Sequence, residues 1–297
     1  MSGELARLSG QQRRAMGEWF PDAVVEHDHS WGLTGMVVLE IRSRGRRFIV
    51  KAAPPGDKHL ARELTAHGEW VGVWQDLGRA PRLAYADPEA GILATEFVPG
   101  HLVLGSPAAE DPEAYRQAGE LLRRLHDQTT VVDATYESEA NATMLRWLGT
   151  PNRIDASVVA QVCRLADSWP TPPTTVVPTH GDWQPRNWLW SDGILVPIDF
   201  GRMALRPAVT DLARLDVQEF RQDPALADAF FEGYGPDPRG SDAWFRIRMR
   251  EAVGTAVWAY LHDDEAFEQQ GHAMLADVLA ELDDGAGHAM DHHRASE

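Results

Sequence analysis

The run His180-Gly181-Asp182-Trp183-Gln184-Pro185-Arg186-Asn187, followed by Ile198-Asp199-Phe200-Gly201, constrains this chain more than any other segment. It sets an Asp and an Asn five residues apart and places a second Asp beyond them. Between the two parts, Trp188-Leu189-Trp190 and Ile194-Leu195-Val196 flank Ser191-Asp192-Gly193, a hairpin signal with a glycine-containing three-residue loop. Folding about Asp192 is expected to bring Asn187 opposite Pro197 and to leave Asp199 just past the open end. Phosphoryl transfer to a hydroxyl requires such a set: a carboxylate that accepts the hydroxyl proton, and oxygen ligands that hold Mg²⁺ against the phosphates. Asp182 fits the first role, and Asn187 and Asp199 fit the second. Two hard oxygen ligands without a complete protein cage suit Mg²⁺, which keeps waters and takes its remaining ligands from phosphate. Each piece alone has an ordinary reading. A D-F-G arises by chance, a loop Asp usually caps a turn, and a hairpin is plain β structure. Their combination in this order is what points to chemistry. His180 reads as a structural residue packed beneath the loop.

The same chemistry asks for a strand lysine on the phosphates and a helix glutamate paired with it. Arg46-Arg47-Phe48-Ile49-Val50-Lys51 reads as a strand entered through Ser43-Arg44-Gly45 from an earlier strand, Met36 to Ile41. After Pro54-Pro55-Gly56, a helix pattern begins near Lys58 with an apolar stripe of Leu60, Leu64, Val71, Trp74 and Leu77. Glu63 lies beside that stripe and is expected to face the sheet toward Lys51. Ser30-Trp31-Gly32-Leu33-Thr34-Gly35 stands where a loop over the phosphates belongs, with glycines for close backbone approach and the hydroxyls of Ser30 and Thr34 as donors. It matches no glycine-rich fingerprint, and a plain β-turn would look the same.

In order, these residues resemble the aminoglycoside phosphotransferase family of small-molecule kinases, over roughly Ala23 to Leu215. The resemblance rests on strand Lys51, helix Glu63, the lobe linker Ile92 to Gly100, the helix Leu121-Leu122-Arg123-Arg124-Leu125-His126, H-G-D-x-x-x-x-N, I-D-F-G, and Asp211-Leu212-Ala213. It implies an α+β, two-lobed protein-kinase-like fold: residues 1–99 as a nucleotide-binding lobe with an antiparallel sheet and a helix, and residues 100–297 as a mostly helical catalytic and acceptor-binding lobe. It implies ATP or GTP as donor and Mg²⁺ as cofactor. Asp182 would deprotonate the acceptor, Asn187 and Asp199 would bind the metal, and Lys51 would hold phosphates. Gly32 and its loop would cover the phosphates, and Glu96, Phe97 and Val98 would present backbone groups to the base. Asp211 would be structural. Arg186 would stand either near the terminal phosphate or on the surface. The nucleotide loop departs from the family's usual Ser-Asn pair, having Ser30-Trp31. A protein kinase is disfavoured, because only nine residues separate Gly201 from Asp211 and no A-P-E follows.

The 297 residues suffice for one two-lobed unit or two domains, and 43% hydrophobic content is that of a globular chain. No stretch approaches the roughly 18 apolar residues of a membrane helix. Met1 to Arg14 lacks the pattern of a secretory signal. A lone Cys163 allows no internal disulfide, which suits a reducing cytoplasm. Asp283 to Glu297 reads as a disordered tail.

Charge bears on partners. Residues Pro207 to Glu297 hold 19 acidic against seven basic residues, a net of −12 out of −17 for the chain. Nucleic acid is therefore a poor partner, and a small cationic hydroxylated acceptor is favoured. Asp216 and Glu219, three apart on the helix after Asp211-Leu212-Ala213, are candidates to line the acceptor side, with Trp258 as an aromatic wall. Trp183, Trp188 and Trp244 are further stacking candidates, although most tryptophans fill cores. The leading expectation is a kinase acting on an antibiotic of aminoglycoside, nucleoside or peptide type. A metabolic kinase for a choline-, amino-acid- or sugar-type alcohol is the alternative. A non-catalytic nucleotide-binding pseudokinase is opposed by the intact Lys51, Asp182, Asn187 and Asp199.

Overall fold

The computed structural model describes residues 3–31 and 35–294. In chain order it contains α1 (Gly10–Trp19), β1 (Val24–Asp28), β2 (Val37–Ser43), β3 (Arg46–Ala52), α2 (Lys58–Glu69), α3 (Gly72–Gln75), β4 (Leu83–Asp87), β5 (Ile92–Glu96) and β6 (His101–Leu102). Then come α4 (Pro112–His126), β7 (Val131–Asp133), α5 (Tyr136–Leu148), α6 (Ala156–Ser168), β8 (Thr174–Thr179), β9 (Trp188–Ser191), β10 (Ile194–Pro197) and β11 (Ala204–Arg206). The last helices are α7 (Ala213–Leu215), α8 (Pro224–Tyr234), α9 (Asp242–Leu261) and α10 (Glu265–Arg294). Packing divides the chain into two compact units. One comprises Met1–Thr130, Val177–Asp211 and Asp223–Pro236, and the other Val131–Val176, Leu212–Gln222 and Asp237–Glu297.

The first unit is built on a five-stranded antiparallel sheet in the order β1-β2-β3-β5-β4. Because side chains alternate along a strand, Val37, Leu39, Ile41, Phe48, Val50 and Ala52 share one face. They bury it with Ala15 and Met16 of α1 and with Phe20. Helix α1 was not anticipated from sequence, since its apolar positions are few. Ser9 and Gln12 form a capping box at its start, and the Gln12 amide donates to the carbonyls of Ala53, Ala90 and Gly91 at 2.8, 3.0 and 3.2 Å. Lys51, paired in register with Val38, lies on the opposite face, toward α2.

Helix α2 starts where expected. The Asp57 carboxylate accepts from the N–H groups of His59 and Leu60, both at 2.9 Å. It does not continue along the whole apolar stripe. The N–H groups of Trp70 and Val71 both close on the Ala66 carbonyl, and a separate short α3 follows. The break rotates Trp74 into the core, where its indole N–H donates to the Leu121 carbonyl at 2.8 Å, and leaves Leu77 exposed. A buried indole needs such a partner.

The catalytic-loop hairpin forms with a register one residue from that expected. Asp192 and Gly193 both have positive φ, 52° and 77°, so the turn has two central residues of the I′ kind instead of a three-residue loop. Ser191 therefore pairs with Ile194 and Trp188 with Pro197, and Asn187 lies beside Ile198, whose N–H donates to the Asn187 carbonyl at 2.9 Å. Gln117 of α4 fixes the hairpin: its amide nitrogen donates to the Gly193 carbonyl and its oxygen accepts from the Leu195 N–H.

The second unit is helical apart from β7, which pairs with the first half of β8. Its core includes Met144, Leu148, Val162, Met249, Val253, Val257, Leu275 and Val278 from α5, α6, α9 and α10. Glu137 is buried there between Arg246 and Arg250, at 3.1 and 2.7 Å. Helix α10 runs to Arg294, through most of the stretch read as a disordered tail, and residues 295–297 lie outside the described residues. Among the described residues, no helix is long and apolar enough to cross a membrane.

Helices α4 and α8 touch through glycines. A Cβ on Gly119 would lie 2.1 Å from the Phe230 carbonyl oxygen, and one on Gly233 would lie 2.0 Å from that of Arg116. The obstacles are backbone atoms, so the helices would have to separate. Gly119→Ala is expected to lower stability by about 1–3 kcal/mol, although alanine is the better helix former by about 1 kcal/mol. Urea unfolding of the variant checks this, and a gain in midpoint would refute the close crossing.

Candidate active site

The turn at Gly181 starts the site. Its φ of 77° and the 2.5 Å separation that a Cβ would have from the Arg202 carbonyl oxygen leave room only for glycine. Asp211, buried and charged, holds this turn from below. Its carboxylate accepts from the N–H of His180 at 2.8 Å and from that of Gly181 at 2.6 Å, and meets His126 Nε2 at 3.1 Å. His126 Nδ1 lies 2.9 Å from the Tyr234 hydroxyl. The α4–α8 pair is thus wired to the loop. Burial raises the Asp211 pKa, but the His126 contact and the backbone donors outweigh it and leave the carboxyl below its usual range. Sequence reasoning overlooked His126 and Tyr234. The available signal was that His126 falls on the buried face of α4, at the helical spacing of Ala118 and Leu122.

Beneath the loop lies an aromatic layer. Trp74 stacks on Trp183 at 5.6 Å, His180 meets Trp183 and Phe200 edge-on at 5.3 and 5.9 Å, and Trp188 adjoins Trp183. Trp183 and Trp188 are 1% and 0% exposed, so both are core residues and not stacking surfaces for a ligand. His180 Nε2 donates to the Ile198 carbonyl at 3.1 Å, which joins the two arms of the motif.

Asp182 is buried, and three side chains of its own loop converge on it. Gln184 Nε2 donates to Oδ1, while Arg186 Nη2 and Asn187 Nδ2 donate to Oδ2 at 2.7 and 2.9 Å. Asn187 Nδ2 also reaches the Asp182 carbonyl, at 2.8 Å. With its nitrogen so engaged, Asn187 has its carbonyl oxygen available as a ligand. Asp199 adopts φ 66°, a left-handed conformation that Asp tolerates better than most residues. Its Oδ1 accepts from Lys51 Nζ at 2.9 Å, and Glu63 Oε2 accepts from the same nitrogen at 2.8 Å. Burial acts to lower the Lys51 pKa, but the two carboxylates prevail and raise it, and Lys51 in turn holds Asp199 below the usual carboxylate range. Lys51, Glu63, Asp182, Asn187 and Asp199 all belong to the first compact unit.

Asn187 and Asp199 supply one amide oxygen and one carboxylate on adjoining arms of the hairpin, a hard-oxygen set suited to Mg²⁺. Among the described residues, no group of three or more His, Cys, Asp or Glu could hold a metal by itself.

The sequence profile of the phosphotransferase enzyme family (APH) matches residues 36–245. The chain belongs to this family. Its members phosphorylate hydroxyl groups of small molecules, and this phosphotransferase is an enzyme of that kind. No curated protein sequence matches the chain. Solved structures of similar fold include choline kinase LicA from Streptococcus pneumoniae, at 17% identity and TM-score 0.65 over 89% of this chain and 97% of that one. A ternary complex of a thermostable mutant of aminoglycoside phosphotransferase APH(4)-Ia with AMP-PNP and hygromycin B matches at 13% identity and TM-score 0.65, over 90% and 98%. Macrolide 2'-phosphotransferase MphH from Brachybacterium faecium matches at 17% and 0.57, over 84% and 90%. At these identities the likeness is one of fold: the α+β, protein-kinase-like fold with an antiparallel sheet followed by a mostly helical remainder.

The remaining expected site residues of the phosphotransferase fall as follows. Ser30 Oγ accepts from Arg7 and from the Val38 N–H, so it braces the turn between β1 and β2. Gly32 and Thr34 lie outside the described residues. In the linker, the Phe97 N–H donates to the Arg47 carbonyl at 3.1 Å, the Arg47 guanidinium lies 3.5 Å from the centre of the Phe97 ring, and Glu96 pairs with Arg46. In the second unit, Asp216 opens a π-helical turn, Asp216–Phe220, that carries Glu219 as well. Arg221 and Arg239 pair with Asp216 at 2.9 and 2.6 Å. Trp258 stacks on His262 with centroids 4.1 Å apart.

His67 on α2 meets Phe200 of the D-F-G edge-on at 5.3 Å, and burial, with Lys51 nearby, lowers its pKa to about 4. In the unfolded chain a histidine titrates near 6.5. Between pH 6.5 and 4 the unfolded state therefore binds more protons, and stability is lost as pH falls through that window, by up to about 1.4 kcal/mol per pH unit. Burial lowers the His180 pKa too, which acts in the same direction. Melting temperatures from pH 7 to 4.5 are expected to decline for the wild type and to decline less steeply for His67→Leu. Parallel curves would show that His67 does not contribute.

Proposed function

We propose that this phosphotransferase moves the γ-phosphate of ATP or GTP to a hydroxyl of a small cationic molecule, most simply an antibiotic. The observation that carries the reading is the ion chain Glu63–Lys51–Asp199 in the same compact unit as the Asp182–Asn187 loop. The APH(4)-Ia complex with AMP-PNP and hygromycin B supports a nucleotide donor and an antibiotic acceptor.

Lys51, oriented by Glu63, holds the donor's phosphates. The oxygens of Asn187 and Asp199 would be the protein's ligands for Mg²⁺. Bound there, the ion would neutralise charge on the β- and γ-phosphate oxygens. The Asp182 carboxylate orients the acceptor hydroxyl and takes its proton as the oxygen bonds to phosphorus. The bond from phosphorus to the bridging oxygen breaks, and its electron pair leaves with the nucleoside diphosphate. The N–H groups of Glu96 and Phe97 are spent on the Arg82 and Arg47 carbonyls, so the base is read by the Glu96 carbonyl and the main chain of Val98.

Asp182→Asn should lower turnover by ~10²–10⁴ while Mg²⁺–nucleotide binding survives, since Asp182 acts as base. Asp199→Ala should abolish Mg²⁺-dependent nucleotide binding, and Asn187→Ala should weaken turnover less completely because an amide carries no charge. Titration calorimetry with parallel kinetics checks all three. Mg²⁺–nucleotide affinity unchanged in the Asp199 variant would remove the metal assignment.

The acidic C-terminal region favours a cationic acceptor steered by its field. Asp216, which pairs with Arg221 and Arg239, and Glu219 on the same turn are the proposed acidic contacts of the acceptor. Trp258 is the proposed aromatic contact. A panel of aminoglycoside, nucleoside, peptide and macrolide acceptors, with choline beside them, should give a phosphorylated product of cationic type by mass. For that acceptor kcat/KM should fall with added salt, and Glu219→Gln should raise the acceptor KM without altering the nucleotide KM. Salt-independent kinetics would point to a neutral acceptor. Choline as the best substrate would move the enzyme to the metabolic class, a reading that the choline kinase fold match also accommodates.

A further inference from the structure

We propose that Arg186 is a catalytic residue that binds the donor's terminal phosphate, and that it is parked on the base Asp182 until the donor arrives. The inference rests on the assignment of Asp182 as base.

A buried carboxylate must be paired, and Asp182 is paired within its own loop. Arg186 brings a full charge to this carboxylate, through Nη2 at 2.7 Å from Oδ2. The same Oδ2 also accepts from Asn187. An oxygen held by a guanidinium and an amide is poorly placed to take a hydroxyl proton. Departure of the arginine would free that oxygen for the acceptor's proton.

The surroundings favour such a transfer. Asp182 has 3% of its side chain exposed and Arg186 has 34%, so the arginine reaches a buried acid while part of its own side chain stays open to solvent. The guanidinium carbon lies 5.5 Å from the ring centre of Trp31, which follows β1. An indole face attracts a guanidinium by cation–π interaction. Lys51, paired with Glu63 and Asp199, is the cation already assigned to the donor's phosphates. A guanidinium beside it would add to the positive charge available to the equatorial oxygens of the transferring phosphoryl group. A planar guanidinium matches two phosphate oxygens at once, and a terminal phosphate offers more negative charge than one carboxylate.

Donor binding then does two things together. It draws Arg186 onto the γ-phosphate, and it releases Asp182 Oδ2 to accept the acceptor's proton. The acceptor oxygen bonds to phosphorus, the bond from phosphorus to the bridging oxygen breaks, and the diphosphate leaves with that electron pair.

The test compares wild type, Arg186→Gln and Arg186→Lys by calorimetry with Mg²⁺–AMP-PNP and Mg²⁺–ADP, or the guanine pair if GTP is the donor, alongside steady-state kinetics. Wild type should bind the triphosphate analogue more tightly than the diphosphate. Arg186→Gln should lose about tenfold or more on the analogue and nothing on the diphosphate, a loss of the order expected for a charged hydrogen bond. Its kcat should fall by ~10²–10³ with the acceptor KM unchanged. Arg186→Lys, which keeps the charge without the fork, should fall between the two, and it carries the test if the glutamine variant does not fold. Equal weakening of both nucleotides, or analogue preference and kcat both retained in Arg186→Gln, would reduce Arg186 to a structural counter-charge and overturn the proposal. A wild type that binds neither nucleotide would overturn the reading of the site itself.

Discussion

A carboxylate withdrawn from water must find a partner, and that requirement organises the first unit of this protein. Glu63, Asp182 and Asp211 are each no more than 4% exposed. Glu63 is matched by Lys51, Asp182 by Gln184, Arg186 and Asn187, and Asp211 by His126 and two backbone N–H groups. Each pairing joins segments distant in the chain or closes the loop on itself. The chemistry and the architecture therefore share the same bonds. A side chain that holds the loop in place also sets how basic, or how available, its neighbours are.

The loop is supported from two directions. Beneath it, Trp74, Trp183, Trp188 and Phe200 form a layer that resists movement of Asp182 and Asp199 because close-packed rings leave little free volume. From the side, Tyr234 and His126 transmit the close α4–α8 crossing to Asp211. A phosphotransferase with little covalent chemistry of its own depends on such positioning. The Asp199 backbone is held in a left-handed conformation beside this support, as is common where a side chain must be aimed at a ligand.

Much of this was legible in the residues alone. The order Lys51, Glu63, Asp182, Asn187, Asp199 is carried by local patterns: a strand ending in lysine, a capped helix, and a hairpin closed by Asp192-Gly193. The misread features share one cause. The hairpin register turned on whether Ser191 belonged to the turn or the strand, and only the paired backbone shows that Asp192 and Gly193 both take positive φ. The helix expected to continue to Leu77 breaks because Trp74 reaches a carbonyl forty-seven residues away. Trp183 and Trp188 looked like ligand-stacking candidates because composition cannot separate an aromatic that fills a core from one that lines a cleft.

The sequence by itself determined the reaction class, since phosphoryl transfer demands particular groups at particular local spacings and these can be read from the order of the residues. Only the tertiary structure decided which of those groups are engaged. Pairings such as Asp211 with His126, Lys51 with Asp199 and Asp216 with Arg239 join residues 85, 148 and 23 positions apart. No local pattern encodes such contacts. They exist because burial makes an unpaired charge costly, and the fold alone determines which charges are buried together.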